Sequence, residues 1–252
     1  MTVLVLTRPT DATADLVIAE LNDRSVPVHR LDPGDFPESL SMAARIGPDH
    51  MWWEGALRGQ HRDLSLTDVR SVYYRRPSAH RLHPDMSEQD ARWADAEARA
   101  GFGGLVAALP CPWVNPPQRN ALAALPPATL ATALRSGLSV PRTLITNDPV
   151  EARVFVSALP GQVAAYKALG TTHPSDHEDR PQALWTTQVR PAEIDDSVRR
   201  TAHQYAALDF LVSPQGRWYL IDVNPNGQWG FIPDLRTPIT RALADLLERA
   251  HT

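Results

Sequence analysis

The sequence predicts a mixed α/β (α+β) protein, because short apolar runs alternate with helical patterns along most of the chain. The run VLVL at residues 3–6 has the length of a buried strand. A helical pattern follows from Thr10 or Asp11, either of which can cap its first turn. A second strand is predicted at residues 26–32, so the chain opens with a βαβ unit. No GxGxxG follows the first strand, and the dinucleotide-binding fingerprint is therefore absent.

The remaining elements of the N-terminal half follow from the same patterns. Residues 43–47 and 53–57 predict a β-hairpin, and residues 69–77 predict a further strand. The longest helical pattern runs over residues 88–110. Its GFGG segment, residues 101–104, resembles a phosphate loop. Small residues inside a continuous helical pattern more often allow close packing, which is the interpretation we favour.

A proline-rich stretch at residues 111–130 indicates a domain boundary. We therefore predict an N-terminal domain at residues 1–115 and a second domain at residues 116–252. The elements predicted downstream are a helix over 131–138 that ends at Gly137, a strand over 141–148, a helix that Asp148 caps, strands over 163–170 and 183–189, and a helix over 192–204.

Composition excludes several classes of partner. The chain has 252 residues and a formal net charge of −4 at pH 7, so a nucleic-acid partner has no electrostatic support. No apolar run approaches the ~20 residues needed to span a bilayer, no membrane partner is indicated, and we expect a cytoplasmic protein. A single cysteine, Cys111, agrees with a reducing compartment. We interpret it as a buried structural thiol rather than a nucleophile, since no His or Asn is recognisably placed around it.

A hairpin near the C-terminus carries the strongest candidate site. Residues 205–224 predict two apolar strands joined by the turn 213–216. If Val212 lies opposite Arg217, then Asp209, Asp222 and Asn224 share one face of the hairpin. An ordinary strand that runs into an Asn-Pro-Asn-Gly turn is the alternative. Two unpaired carboxylates repel each other, whereas oxygen ligands suit Mg²⁺, so we favour a metal-binding face.

Segments from both halves of the chain, including part of this hairpin, resemble one known family. They are LTRPTDATADLVIAEL, HRLDPGDFP, VYYRRP, WVNPPQRN, PRTLITND, AAYKALG and GRWYLIDVNPNGQWGF. Together they resemble the ATP-grasp ribosomal peptide maturases, also called graspetide or microviridin-type synthetases, in their actinomycete form. The resemblance covers both halves of the chain. It implies a pre-ATP-grasp βαβ domain followed by a shortened ATP-grasp region.

The resemblance implies an ATP-dependent ligase that uses ATP and Mg²⁺. Such an enzyme phosphorylates an Asp or Glu side chain of a precursor peptide, and a Ser, Thr or Lys side chain of the same peptide then closes an ester or amide ring. Magnesium would be held by Asp209, Asp222 and Asn224. The nucleotide would be contacted by Lys167, Gly170 and Thr171. No catalytic residue is assigned.

The resemblance also implies where the precursor peptide binds. Family members bind the leader segment on the part of the ATP-grasp region that corresponds to residues 183–189 and the helix over 192–204. The acidic residues Glu193, Asp195 and Asp196 could pair with basic leader residues there. A solvated helix face is the alternative that the charge pattern alone favours.

Two departures from the family pattern bear on activity. Pro126 stands about where relatives carry a lysine that reaches the phosphates, and no lysine occurs between Met1 and Tyr166. Relatives also have several dozen further residues where Gln204 here runs directly into Tyr205. Such an internal deletion would remove adenine contacts and an arginine, and it would leave an exposed sheet edge that favours a homo-oligomer. Three hypotheses follow: an active shortened peptide cyclase, a non-catalytic remnant that binds a leader peptide, or a ligase for a small amino acid or peptide.

Overall fold

The computed structural model describes residues 1–49, 51–166, 187–194, 211–212, 218–219 and 227–249. The chain forms two compact units. One comprises Met1–Asn120 together with Asn226–Thr252, and the other comprises Ala121–Pro225. The predicted domain boundary between residues 115 and 116 stays a prediction.

The strands of the described residues are β1 (Thr2–Leu6), β2 (Val28–Leu31), β3 (Ser41–Arg45), β4 (Glu54–Arg58), β5 (Asp63–Ser65), β6 (Val69–Tyr74), β7 (Trp113–Val114), β8 (Ala164–Tyr166), β9 (Thr187–Val189), β10 (Leu211–Val212) and β11 (Trp218–Tyr219). The α-helices are α1 (Ala12–Asp23), α2 (Glu88–Ala98), α3 (Gly104–Ala107), α4 (Pro117–Ala123), α5 (Pro126–Arg135), α6 (Pro149–Ser157) and α7 (Pro233–Glu248).

A four-stranded parallel sheet, in the order β2-β1-β6-β7, forms the centre of the first unit. The predicted βαβ opening is confirmed, since α1 connects the parallel strands β1 and β2. The Asp11 carboxylate caps α1 by accepting hydrogen bonds from the backbone N–H groups of Thr13 and Ala14.

Side chains of β1 alternate between two separate cores on the two faces of the sheet. Val3 and Val5 pack with apolar residues of α1 and α7. Leu4 and Leu6 pack on the other face with residues of α3 and of the small sheet β3-β4-β5. Both faces of the sheet are therefore covered, as a parallel sheet requires.

The small antiparallel sheet confirms the predicted hairpin of β3 and β4, to which the structure adds β5. Gly55 permits the close approach of the two hairpin strands. A Cβ atom at this position would lie 2.0 Å from the carbonyl oxygen of Ala43. Leu57 and Leu64 extend from this sheet into the core.

The predicted helix over residues 88–110 is interrupted by a π-helical turn. Helix α2 ends at Ala98, a π-helical segment spans Arg99–Gly103, and α3 follows directly. The GFGG segment therefore lies within helix and is not a phosphate loop. A Cβ atom at Gly103 or Gly104 would meet no neighbouring heavy atom of the described chain within 4 Å. Close packing against the protein is thus the wrong explanation for these two glycines.

Helix α7 is an element that the sequence patterns did not predict. It packs on α1 and on β6 of the first unit. Two of its last carbonyl groups accept hydrogen bonds from side chains of β6: Ser71 Oγ donates to Leu247 at 2.8 Å, and Arg70 Nη2 donates to Glu248 at 2.7 Å. These bonds satisfy acceptors that a helix end leaves free.

The second unit contains α5, α6 and the antiparallel pair β8-β9. The predicted helix end at Gly137 lies two residues beyond the observed end of α5 at Arg135, and Gly137 has a φ of +78°. Asp148 caps α6 through the backbone N–H of Val150, as predicted. Residues 141–148 form neither strand nor helix, so the strand predicted there is wrong. Among the described residues, no helix combines the length and apolar character needed to cross a membrane.

Candidate functional site

Most of the predicted site residues lie outside the described part of the chain. These are Lys167, Gly170, Thr171, Asp195, Asp196, Asp209, Asp222 and Asn224. Their assignments as nucleotide, peptide and metal ligands stay predictions. Glu193 is described and exposed, and its Oε2 accepts a 2.6 Å hydrogen bond from the backbone N–H of Arg190. In the described residues, no three His, Cys, Asp or Glu side chains cluster as metal ligands would.

The hairpin register that supported the metal site differs from the predicted one. Leu211 pairs with Tyr219 and Val212 with Trp218, so the predicted pairing of Val212 with Arg217 is wrong by one residue. Residues 213–217 then separate the paired positions, one residue more than the predicted turn. Which side chains share a face of a hairpin depends on which residues pair, so the pairing of Val212 with Arg217 no longer supports the shared face predicted for Asp209, Asp222 and Asn224, whose assignment stays a prediction.

The described part of the chain places its own polar cluster at the carboxyl ends of β1 and β6. After β1 the chain turns to α1 on one face of the sheet, whereas after β6 it continues to α2 and α3 on the other. The two connections diverge between neighbouring parallel strands. Such a switch point leaves a crevice where open α/β sheets commonly bind ligands.

A buried ion pair lies at this switch point. Arg75 follows β6, and its Nε donates a 2.7 Å hydrogen bond to Asp11 Oδ2. Thr7 Oγ1 donates to the same oxygen at 2.9 Å, and both charged side chains are only 3% exposed. Burial acts to raise the pKa of Asp11, but the hydrogen bond from Thr7 and the positive charge of Arg75 outweigh it and lower that pKa below its ordinary value.

The same guanidinium reaches the C-terminal part of the chain. Arg75 Nη1 donates a 3.1 Å hydrogen bond to the carbonyl oxygen of Gly227, which follows DVNPN at residues 222–226. The Nη2 atom of Arg75 is buried and has no hydrogen-bond partner among the described residues. Burial raises the pKa of the neighbouring Tyr73, so this phenol is neutral at pH 7.

A cavity of about 430 Å³ opens beside the ends of β1 and β6, on the face covered by the interrupted helix. Its aromatic walls are Tyr74, Phe102 and Trp113, and Gly103 and Gly104 form part of its lining. The rings of Tyr74 and Trp113 lie 6.4 Å apart at an interplanar angle of 41°. The volume falls in the range of small-molecule and side-chain pockets, roughly 300–1,000 Å³.

Three polar side chains are linked at the edge of this cavity. Asp95 Oδ1 forms a 2.9 Å hydrogen bond with Nδ1 of His80, and Asp95 Oδ2 accepts a 2.7 Å hydrogen bond from Nε of Arg99. These contacts with His80 and Arg99 lower the pKa of Asp95. His80 and Arg99 line the cavity, and the Arg99 side chain is 70% exposed. The edge therefore presents a guanidinium oriented by a carboxylate.

Two further cavities of the first unit are more polar. One of about 570 Å³ beside β2 is lined by His29, His61 and three arginines, among other residues. One of about 500 Å³ adjoins the N-terminus of α1 and includes Asp11 and Arg236.

Sequence reasoning missed both the ion pair and the aromatic cavity. One signal for the ion pair was present, because Asp11 follows the first predicted strand and Arg75 lies near the end of the strand predicted at residues 69–77. The carboxyl ends of neighbouring parallel strands meet at one sheet edge, which would have brought Asp11 and Arg75 together.

Comparison with known proteins agrees with this architecture. Residues 2–121 match the family model of the MvdD pre-ATP-grasp domain. No curated protein matches the chain.

Three solved structures are similar over nearly the whole chain. The macrocyclase MdnC from Microcystis aeruginosa MRC, bound with precursor peptide MdnA, is 20% identical with a TM-score of 0.83, over 98% of this chain and 99% of that one. A RiPP-associated ATP-grasp ligase of Chryseobacterium gregarium, in complex with ADP and a leader and core peptide, is 17% identical with a TM-score of 0.85, over 98% and 96% of the two chains. The ATP-grasp ligase PsnB, complexed with minimal precursor, Mg and ADP, is 18% identical with a TM-score of 0.70, over 98% of each chain. At these identities the likeness establishes the predicted α/β fold.

Proposed function

We propose that this protein is an ATP-dependent ligase of ribosomal peptide maturation, because residues 2–121 match the family model of the MvdD pre-ATP-grasp domain and the chain has the fold of ATP-grasp ligases. The observation that carries the proposal is the extent of the likeness, which covers 98% of this chain for each of three peptide-bound ligases. The proposed substrate is a precursor peptide with a leader segment and an acidic core.

The proposed reaction has two steps. A side-chain carboxylate of the peptide attacks the γ-phosphorus of ATP, which releases ADP and leaves an acyl phosphate. A hydroxyl or amine of the same peptide then attacks the acyl carbon, loses its proton and displaces phosphate, which closes an ester or amide ring. Each ring costs one ATP, and the peptide loses the elements of one water.

The metal and nucleotide roles are part of this proposal. Asp222 and Asn224 are separated by one residue, so they point to the same side if the strand is regular, and together with Asp209 they provide the oxygen ligands that Mg²⁺ prefers. Magnesium bound there would neutralise charge on the nucleotide phosphates. Lys167, the chain's single lysine, would add a positive charge, and Gly170 and Thr171 would belong to the phosphate-covering loop.

The leader segment is proposed to bind near β9 and the residues that follow it. Glu193, Asp195 and Asp196 would attract basic leader residues. Glu193 already accepts a hydrogen bond from the Arg190 backbone, so its carboxylate is held in place at an exposed position. Charge reversal at Asp195 and Asp196 should weaken leader binding, and unchanged affinity would exclude this site.

A non-catalytic role in binding a leader peptide is the second candidate. Two features of the sequence favour it: Pro126 at a lysine position of the resembled family, and the direct junction of Gln204 with Tyr205. Loss of one preorganised charge-stabilising group costs about a hundredfold or more in rate. We therefore expect this chain to ligate more slowly than a relative that has both the lysine and the additional segment.

The experiment that separates the candidates uses the purified chain with ATP, Mg²⁺ and the precursor peptide encoded beside its gene. Mass spectrometry measures loss of water per ring, with Asp222→Ala as the inactive control. Ring formation that requires Asp222 supports the ligase. Leader binding without ring formation or ATP turnover supports the non-catalytic role.

A further inference from the structure

Gly103 and Gly104 line the aromatic cavity, and no contact with neighbouring residues of the described chain requires glycine at either position. Gly103 has φ −61° and ψ −41°, and Gly104 has φ −65° and ψ −44°, which are helical values that any residue adopts. Alanine is favoured over glycine in a helix by roughly 0.5–1 kcal/mol. An added Cβ atom would meet nothing in the described chain within 4 Å. Both glycines line the cavity, so the space that their missing side chains leave open adjoins it.

We propose that this cavity binds an aromatic side chain of a peptide whose neighbouring residue carries a carboxylate. The proposal rests on the proposed function, since it assigns a second contact of the peptide substrate, within the N-terminal unit. The site is distinct from the residues predicted to bind the leader, ATP and magnesium.

The walls of the cavity suit an aromatic ring. Tyr74 and Trp113 are tilted against each other and are both half-buried, and Phe102 is stacked on Phe36 at 5.3 Å behind the lining. A ring that packs against such walls gains offset and edge-to-face contacts in addition to burial of its apolar surface. A volume of about 430 Å³ accommodates one aromatic side chain with part of its backbone.

The cavity edge suits one carboxylate rather than a polyphosphate. Arg99 is bonded to Asp95 only through Nε among the described residues, and its exposed guanidinium keeps donors for a carboxylate. Asp95 offsets most of this positive charge, and no lysine lies in the N-terminal half. Nucleotide phosphates require more donors and more positive charge than this edge offers, so charge favours a peptide ligand over ATP.

The test measures binding of short peptides to the full-length chain without ATP, by ligand-observed NMR titration. The probes are acetyl-Phe-Asp-amide, acetyl-Ala-Asp-amide and acetyl-Phe-Asn-amide. We expect the first to bind about tenfold or more tightly than either of the others, because each comparison removes one of the two proposed contacts.

Three variants locate the binding. Gly103→Leu should fill the cavity and weaken the Phe-Asp probe about tenfold or more. Ala96→Leu adds the same side chain at an exposed position of α2 outside the cavity and should leave binding unchanged. Arg99→Met should abolish the preference for Asp over Asn but retain the preference for Phe over Ala.

Four results would overturn the proposal. The Phe-Asp probe does not bind, or the Phe-Asp and Ala-Asp probes bind equally. The Gly103→Leu variant binds the Phe-Asp probe as tightly as the unsubstituted chain does, or ATP displaces the probe. Ligation kinetics separate this proposal from the proposed function. If ligation proceeds and Gly103→Leu leaves the peptide KM unchanged, the cavity site is excluded and the ligase stands. If the probe binds as expected but no ring forms, the ligase is excluded and the peptide site stands.

Discussion

Removal of one partner of the buried Asp11–Arg75 pair should destabilise the protein far more than removal of an exposed charge from the same helix. In Asp11→Ala, the guanidinium of Arg75 stays buried with no carboxylate, which costs about 3–5 kcal/mol. The variant also loses the N-cap of α1, which adds about 1 kcal/mol. A loss of this size is a large part of the roughly 5–15 kcal/mol that stabilises a typical domain.

Removal of the other partner should cost less, because the geometry of the pair is asymmetric. In Arg75→Met the carboxylate of Asp11 still accepts hydrogen bonds from Thr7 Oγ1 and from the backbone N–H groups of Thr13 and Ala14. We therefore expect a cost near the lower limit, about 3 kcal/mol. The double variant should cost less than the two single costs added together, since neither charge is then left alone.

Urea-induced unfolding, followed by tryptophan fluorescence, measures these costs. Asp15→Ala is the matched control: Asp15 lies in the first turn of the same helix, is 54% exposed and pairs with Arg30, so its loss should cost at most about 1 kcal/mol. If Asp11→Ala costs no more than Asp15→Ala, or if the two single costs add without interaction, the pair does not stabilise the fold as argued.

Three further outcomes follow from the structure. The pKa of the His29 imidazole is lowered by burial and, to a smaller extent, by the charge of Arg62. The unfolded chain therefore binds a proton at His29 more readily than the folded chain does, and the free energy of unfolding should fall as the pH drops below about 6.5. His29→Gln should flatten this part of the profile of unfolding free energy against pH, and an unchanged slope would contradict the assignment. Burial raises the pKa of Cys111 to about 11, so iodoacetamide should modify it much more slowly at pH 8 than a free thiol, and faster once urea unfolds the chain. Gly103→Ala should raise the unfolding free energy by roughly 0.5–1 kcal/mol, whereas Gly137→Ala should lower it because φ is +78° there; a loss of stability in Gly103→Ala would mean that the cavity wall tolerates no methyl group.

The first elements of the fold were predictable because their determinants are local. The strand β1, the Asp11 cap and the helix α1 each follow from a few adjacent residues, and the parallel pairing of β1 with β2 follows from the helical connection between them. The hairpin of β3 and β4 was predictable for the same reason.

Elements whose stability comes from distant residues were not predictable in this way. Helix α7 contains Pro238 and lacks a side-chain N-cap, so the local start signals are weak. Its contacts with the rest of the unit are made far along the chain, for example by the Arg24 guanidinium to Asp245 at 2.6 Å and Glu248 at 3.0 Å. The Asp11–Arg75 contact likewise joins residues 64 positions apart.

The strand predicted at residues 141–148 shows the opposite error. The segment PRTLITND combines β-branched residues with an adjacent turn signal, which is typical of a strand. In the structure it pairs with no described strand, and Asp148 instead begins α6. Intrinsic preference for an extended conformation does not create a strand unless a partner offers free backbone groups.

The predicted metal ligands depend on the hairpin register to different degrees. Side-chain parity between strands depends on which residues pair, and the observed pairing of Val212 with Trp218 differs by one residue from the pairing that placed Asp209 beside Asp222. Parity within one strand does not depend on register. Asp222 and Asn224 are two positions apart, so their prediction as a pair requires only that they lie on one regular strand. The pairing of Asp222 with Asn224 therefore does not depend on the hairpin register, whereas the addition of Asp209 does, and all three residues stay predicted ligands because they lie outside the described part of the chain.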